Sequence, residues 1–163
     1  MFTCIIETPL GLMQAAGDDE ALKGLWFIGQ KHFPVTNTWA ENPEYPVFKK
    51  AGAWLKDYFA GKKPSLNFKL CPAGTLFQKE IWNKLMAIPW GRTVSYGMLF
   101  PASARAAGNA VGRNPVSIII PCHRVIGSKG SITGYAGGLD RKAALLELEG
   151  IKLAAQRRSA TNS

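Results

Sequence analysis

Apolar and polar residues alternate from Phe2 to Glu7 and again from Leu12 to Ala16, with Pro9-Leu10-Gly11 between them. Alternation with period two marks a strand with one buried face, so the two runs predict a hairpin. After the polar turn Gly17-Asp18-Asp19-Glu20, the residues Leu22, Leu25, Trp26, Phe27 and Ile28 predict a third, mostly buried strand. From Pro46 the spacing lengthens to three and four. Val47, Phe48, Ala51, Trp54, Leu55, Tyr58 and Phe59 form one helical stripe, and Gly61 supplies its stop. This opening part reads as a small sheet packed with one helix.

Turn formers cluster from Lys62-Lys63-Pro64-Ser65 to Cys71-Pro72-Ala73-Gly74, which predicts a linker and divides the chain into domains 1–70 and 71–163. Beyond it, Thr75 and Gln78 have the spacing of a capping box, and Phe77, Ile81, Trp82 and Leu85 form a stripe over a helix of about 76–87. Pro89-Trp90-Gly91 ends that helix, and a second, rich in Ala and Gly, is expected from Ala102 to Gly112. Val116-Ser117-Ile118-Ile119-Ile120, bounded by Pro115 and Pro121, predicts a buried extended segment. Gly127 to Gly138 holds five glycines and reads as loop. Asp140 is expected to cap a last helix carrying Leu145, Leu146 and Leu148, closed by Gly150. The tail from Ala154 has no apolar face and is expected to fray.

With 47% hydrophobic and 19% charged residues, the 163-residue chain has the balance of a globular protein with a real core. It has no run of about 18 or more apolar residues, and its N-terminus lacks the basic and apolar regions of a secretory signal. A cytoplasmic protein without a membrane partner is expected, nuclear in a eukaryote. Cys4, Cys71 and Cys122 are too few and too widely spaced for a disulfide framework or a Cys-x-x-Cys metal pair. The formal charge of +9 is unevenly held: residues 1–70 carry eight basic and seven acidic side chains, residues 71–163 twelve and four. Such asymmetry points to a polyanion partner for the second half, against the plainer reading of a basic, soluble surface.

The candidate chemistry lies in Pro121-Cys122-His123-Arg124-Val125, directly after the buried apolar run. A thiol attacks as its thiolate, and a neighbouring imidazole or cation can lower its pKa toward neutrality. By residue type alone, a buried structural cysteine beside a salt-bridged arginine fits equally well.

The string from Asn114 to Ile126, NPVSIIIPCHRVI, resembles the active-site signature of the O6-alkylguanine-DNA alkyltransferases, the methylated-DNA–protein-cysteine methyltransferases. The resemblance continues through Val94-Ser95-Tyr96-Gly97, Ala104-Arg105-Ala106, Gly134 to Leu139, Lys142, and Leu145 to Gly150. It also takes in Pro9-Leu10-Gly11 and Gly24-Leu25-Trp26-Phe27, so it covers nearly the whole chain, most specifically 94–150. It implies an α+β protein: a small ribonuclease H-like sheet-plus-helix domain, then a mostly helical catalytic domain with a helix-turn-helix of the winged-helix type. The implied function is DNA repair. O6-alkylguanine, with O4-alkylthymine as a second substrate, is flipped from the duplex, and its alkyl group passes irreversibly to Cys122, once per molecule.

By position, the resemblance makes Cys122 the nucleophile, His123 its base through a bridging water, Glu149 the residue that holds the imidazole, and Asn114 a brace for the loop. Read without it, Glu149 is a solvated helix charge. Tyr96 would crowd the phosphate and donate a proton toward the departing guanine. Arg105 would fill the place of the flipped base, and Ser117, Val125, Tyr135, Ala136, Gly137 and Lys142 would bind it. Ala104, Ala106 and Gly108, small enough for close approach, and Arg113 would meet the minor groove of double-stranded DNA. No cofactor and no metal are expected, since the damaged base is the donor and Cys4, Cys71 and His32 do not match the spacing of the zinc site some relatives carry. The expected form is a monomer.

The segment from Gly97 to Ala104 is several residues shorter than the family pattern, so the first helix of the DNA-binding unit is expected to be shortened or lost. The same residues admit two other classes. A lesion sensor that binds without repairing lacks the reactive cysteine, which Cys122 supplies, and a Cys-His hydrolase requires an oxyanion hole that the motif does not indicate.

Overall fold

The computed structural model describes residues 1–153, so the tail from Ala154 expected to fray lies outside the described residues. The chain forms two compact units, Met1–Ala73 with Pro115–Ser117, and Gly74–Asn114 with Ile118 onward. It is a mixed α+β protein, the first unit built on a sheet and the second mainly helical. None of the described helices is long and apolar enough to cross a membrane.

In the first unit, β1 (Phe2–Thr8) and β2 (Gly11–Gly17) form the expected hairpin, with Cys4 opposite Ala15 and Thr8 opposite Gly11. The Thr8 hydroxyl closes the turn by donating to the Gly11 carbonyl at 2.7 Å. The strand β3 (Ala21–Phe27) pairs antiparallel with β2, with a bulge at Ala16/Gly17. Two short parallel strands, β4 (Ala40–Glu41) beside β1 and β5 (Lys69–Leu70) beside β3, give the order β4-β1-β2-β3-β5. Helix α1 (Pro46–Phe59) starts on the fixed φ of Pro46 and buries Val47, Phe48, Ala51, Leu55 and Tyr58. The strand side chains of Met13, Leu25 and Phe27 are fully buried with them. Gly61, at φ 77°, turns the chain out of the helix as expected. Trp26 lies across Gly24, where an added Cβ would fall 1.8 Å from the indole.

In the second unit, α2 (Leu76–Met86) carries the predicted capping box, with reciprocal bonds of 3.1 and 3.0 Å between Thr75 and Gln78. It buries Ile81, Trp82 and Leu85, and the Trp82 indole N–H donates to the Ala110 carbonyl at 2.9 Å. Then follow β6 (Val94–Ser95), the one-turn helix α3 (Tyr96–Leu99), α4 (Ala104–Gly112), a 3-10 turn at Cys122–Arg124, β7 (Val125–Ile126) parallel to β6, and α5 (Leu139–Leu148). Ile132 reaches from the glycine-rich loop into a cluster with Ala143 and Leu146.

Several local expectations are corrected. The run 116–120 is buried but not extended: Val116 makes a single parallel bridge to Leu25, and Ile118 then takes φ 71°. A β-branched residue pays strain in that region, and the chain bends there instead of continuing as a strand. Asp140 is not the cap of α5. Gly138, at φ 95°, opens the helix, and Asp140 lies in the first turn, where its charge suits the positive helix end. The second helix starts at Ala104, because the Ser103 hydroxyl caps it by accepting from the Ala106 amide at 3.0 Å. The expected linker contains β5, and the Cys71 amide donates to the Leu22 carbonyl at 2.8 Å, so much of it belongs to the sheet. The helix before Arg105 is shortened to the four residues of α3 rather than lost.

Gly24→Ala forces the Trp26 indole off the strand. The expected outcome is a loss of about 1–3 kcal/mol, the usual penalty of overpacking, with a lowered thermal midpoint and a shifted tryptophan emission. An unchanged melting curve would contradict it.

Candidate active site

Asn114, buried at the end of α4, donates its side-chain amide to the Ile120 carbonyl at 2.8 Å and so fixes the loop that leads into Cys122. It also hydrogen-bonds the Cys122 sulfur. The following 3-10 turn advances about three residues per turn, so successive side chains leave it in different directions. Cys122 therefore leaves the turn in a different direction from His123, and His123 and Arg124 both end on one carboxylate.

That carboxylate is Glu149, the buried C-terminal cap of α5. His123 Nε2 lies 2.6 Å from its Oε2, Arg124 Nε donates to Oε1 at 2.8 Å, and the Arg124 fork reaches Oε2 at 3.1 Å. The Gly91 amide adds a bond to Oε1 at 3.2 Å, and Arg124 also donates to the Ile88 carbonyl at 2.6 Å. A carboxylate at the negative end of a helix needs an opposite charge, and Arg124 supplies it. Glu149 is thus no solvated helix charge. Because a carboxylate only accepts, Nε2 of His123 carries the proton, and Nδ1 is the nitrogen that can act as a base.

Burial dominates the titration of the site. It pushes the Cys122 thiol up, against the opposing pull of Asn114 and the Lys142 charge. It pushes the His123 imidazole down, against Glu149. The sequence suggested that neighbouring His123 and Arg124 would lower the thiol pKa. The structure reverses that expectation, because desolvation outweighs the neighbours and Arg124 is engaged by Glu149. The resting site holds a neutral thiol and a neutral imidazole.

Lys142 is fully buried on α5, and its ammonium meets three carbonyls: Val125 at 2.6 Å, Thr133 at 2.8 Å and Gly134 at 3.2 Å. Three donors meet three acceptors, tying the middle of the glycine-rich loop to the strand that precedes it. Burial brings its pKa down to about 8, so it remains charged at neutral pH. The Tyr96 hydroxyl donates to the same Thr133 carbonyl at 3.0 Å. Tyr135 and Ala136 are half-buried on this loop, and the Gly137 carbonyl accepts from Arg141 at 3.2 Å. Val125 is buried in β7.

Cys122, His123, Glu149, Asn114, Lys142, Val125 and the 133–137 loop thus all belong to the second unit. Ser117 belongs to the first, where its hydroxyl lies 3.5 Å from Gln30 Oε1. Ala104 and Arg105 are exposed in the first turn of α4, with Ala106 half-buried beside them, and Arg113 is exposed at its end. Gly108 lies against the Tyr96 ring, where an added Cβ would make an ordinary 3.7 Å contact. Sequence reasoning missed Arg124 as part of the site. Its signal was a cation inside an apolar stretch with no acidic residue nearby in sequence. Among the described residues, no group of three His, Cys, Asp or Glu side chains could hold a metal.

Arg124→Met leaves Glu149 buried without its cation, and about 3–5 kcal/mol of stability is expected to be lost, as urea denaturation measures. A second outcome concerns pH. Below about 6.5 an unfolded histidine gains a proton that folded His123 resists, so stability present above that pH is lost as pH falls through the depressed folded value. The urea midpoint should drop between pH 7 and 5 in the parent, and less in His123→Gln. Equal drops in both would remove His123 as the cause.

Residues 1–72 match the family model of the 6-O-methylguanine DNA methyltransferase ribonuclease-like domain, and residues 76–151 that of the 6-O-methylguanine DNA methyltransferase DNA binding domain. A methylated-DNA–protein-cysteine methyltransferase of Methanosarcina acetivorans is 48% identical over 156 residues, covering 92% of this chain and 99% of that one. The protein of the same name from Mycobacterium tuberculosis strain H37Rv is 43% identical over 149 residues, covering 88% and 89%. The crystal structure of Mycobacterium tuberculosis OGT in complex with DNA superposes with a TM-score of 0.84 at 40% identity, over 91% of this chain and 92% of that one. With both family models matched in sequence and a buried cysteine set beside the His123–Glu149–Arg124 cluster, the chain belongs to the 6-O-methylguanine DNA methyltransferase family.

Proposed function

We propose that the protein repairs DNA by taking the alkyl group of O6-alkylguanine, and of O4-alkylthymine, onto Cys122. The observation that carries this is the sulfur's placement. Cys122 stands in a 3-10 turn whose next residue is bound to Glu149 through Nε2, leaving Nδ1 as the base. In one displacement the sulfur–carbon bond forms and the carbon–oxygen bond to the base breaks. The thiol proton passes through a bridging water to His123 Nδ1, and the departing guanine takes up a proton in turn. A thioether has no easy return to a thiolate, so each molecule acts once and needs no cofactor.

The partner is double-stranded DNA, a reading supported by the similar Mycobacterium tuberculosis OGT, whose structure is a complex with DNA. An interior thiol cannot reach a stacked base, so the nucleotide leaves the duplex. Arg105, exposed near the start of α4, fills the vacated place. Ala104, Ala106 and Gly108 admit the helix to the minor groove, and Arg113 contacts the backbone. On this reading α3 and α4 are the helix-turn-helix of a winged-helix unit, and the first domain is ribonuclease H-like. Val125, Tyr135, Ala136, Gly137 and Ser117 bind the base, with Lys142 fixing the loop and Asn114 bracing the approach to Cys122. Tyr96 must leave the Thr133 carbonyl before it can donate toward the guanine oxygen. The protein works as a monomer in the cytoplasm.

Intact-protein mass spectrometry with peptide mapping, after mixing with excess duplex DNA carrying one O6-methylguanine, tests the reaction. One methyl on Cys122 per molecule is expected, and none in Cys122→Ala, which retains DNA binding. An unchanged mass with tight lesion binding would establish a sensor instead. Arg105→Ala should slow transfer from duplex DNA about ten-fold or more, the scale of an unstacking energy, while reaction with free O6-benzylguanine persists. Equal losses on both substrates would remove the flipping role.

A further inference from the structure

The one-turn helix α3 is too short to hold itself. It has the Ser95 hydroxyl accepting from the Met98 amide at 3.1 Å, and a single bond from the Phe100 amide to the Tyr96 carbonyl at 3.1 Å. Isolated helices of this length are unstable in water, and their last carbonyls lack partners. The missing partners come from α2. Lys84 Nζ donates to the carbonyl of Leu99, the last residue of α3, at 3.0 Å. The same ammonium lies 5.6 Å from the centre of the Phe100 ring. Phe100 in turn meets Phe77 edge to face, with ring centres 5.0 Å apart at 76°. Phe77 and Lys84 are seven residues apart, two turns along one side of α2.

These contacts converge on the four-residue connection to α4, which the Ser103 amide tightens by donating to the Phe100 carbonyl at 3.2 Å. Trp82, on the same helix, holds the far half of α4 through Ala110. Arg105 follows the Ser103 cap by two residues, so its direction is set by where this connection is pinned.

We infer that Phe77 and Lys84 of α2 are positioning residues for DNA engagement, a splint that replaces the length missing from α3 and aims α4 and Arg105. The inference rests on the DNA-repair reading above. Lys84 already has a carbonyl and a ring as partners, which sets it apart from a phosphate-binding lysine. A cation–carbonyl bond at a helix end tolerates Arg in place of Lys but not an apolar chain of similar length.

The test uses the full chain with Lys84→Met, Phe77→Ala and Lys84→Arg. Affinity for duplex DNA carrying O6-methylguanine is measured by fluorescence anisotropy at several salt concentrations, and reactivity with free O6-benzylguanine in parallel. Lys84→Met and Phe77→Ala should each weaken DNA binding about ten-fold, as misplacement of a fraction of an ångström to one ångström does, with the free-base rate kept within about two-fold. The salt slope of Lys84→Met should match the parent, and Lys84→Arg should restore affinity. Unchanged affinity in Lys84→Met overturns the inference. So does a salt slope reduced by about one, the sign of a lost phosphate contact, or an equal loss on both substrates, the sign of general destabilisation. A parent protein inert toward O6-benzylguanine would instead defeat the alkyl-transfer reading, while the DNA-binding comparison would still decide the splint.

Discussion

Glu149 gathers four hydrogen bonds into a dry interior, and the rest of the second unit is arranged so that this is possible. Taking a carboxylate out of water costs several kcal/mol unless cation and donors are both in place. Here the donors come from two separate stretches, the turn after α2 at Gly91 and the 3-10 turn at His123 and Arg124, and they meet the carboxylate at the end of α5. Arg124 also ties the Ile88 carbonyl to the same point. Segments distant in sequence are therefore held together by one charge. The Cys122 backbone lies between two of the fixed residues and the Asn114-bound Ile120 carbonyl, so its direction follows from theirs.

The glycine-rich loop is governed by the same logic with the sign reversed. Lys142 is a buried cation whose three donors face three backbone carbonyls, and no carboxylate among the described residues pairs with it. Carbonyl dipoles satisfy its three donors, and burial still holds its pKa below the usual lysine range. A loop with five glycines has little intrinsic order, and the lysine anchors its middle to Val125, the first residue of β7. Tyr96 joins the anchor through Thr133, which links the start of α3 to the loop that carries Tyr135 and Ala136.

Elements set by local chemistry were legible in the sequence. The hairpin, α1, the Thr75–Gln78 capping box and the Gly61 stop depend on periodicity and caps, which act over a few residues. The strands β4 to β7 have two residues each, too short for any period to register, and they exist only because a distant neighbour pairs with them. The bend at Ile118 was illegible for a related reason: Val116-Ser117-Ile118-Ile119-Ile120 has strand propensity, and the flanking prolines with Asn114 override it. At the site, Cys122 and His123 stood out by residue type, but their roles and the place of Glu149 came from a resemblance, since no spacing rule joins His123 to a residue 26 positions on. Arg124 was in plain view but had no visible partner until Glu149 was placed beside it.

On the proposed function Cys122 is a single-use thiol, and the direction of its shift bears on what such a thiol requires. A cysteine with a strongly lowered pKa would react with any small electrophile it met, and each such encounter would consume a molecule. Burial holds Cys122 as a thiol at rest, with a neutral imidazole one residue on and the Lys142 charge acting on it from α5. The Asn114 amide and the Lys142 charge favour the thiolate without producing it. Deprotonation therefore has to coincide with a bound alkylated base, when the proton has somewhere to go and the developing charge has a carbon to attack. The desolvation that makes the resting sulfur unreactive also excludes water from the displacement, where it strengthens every electrostatic interaction inside.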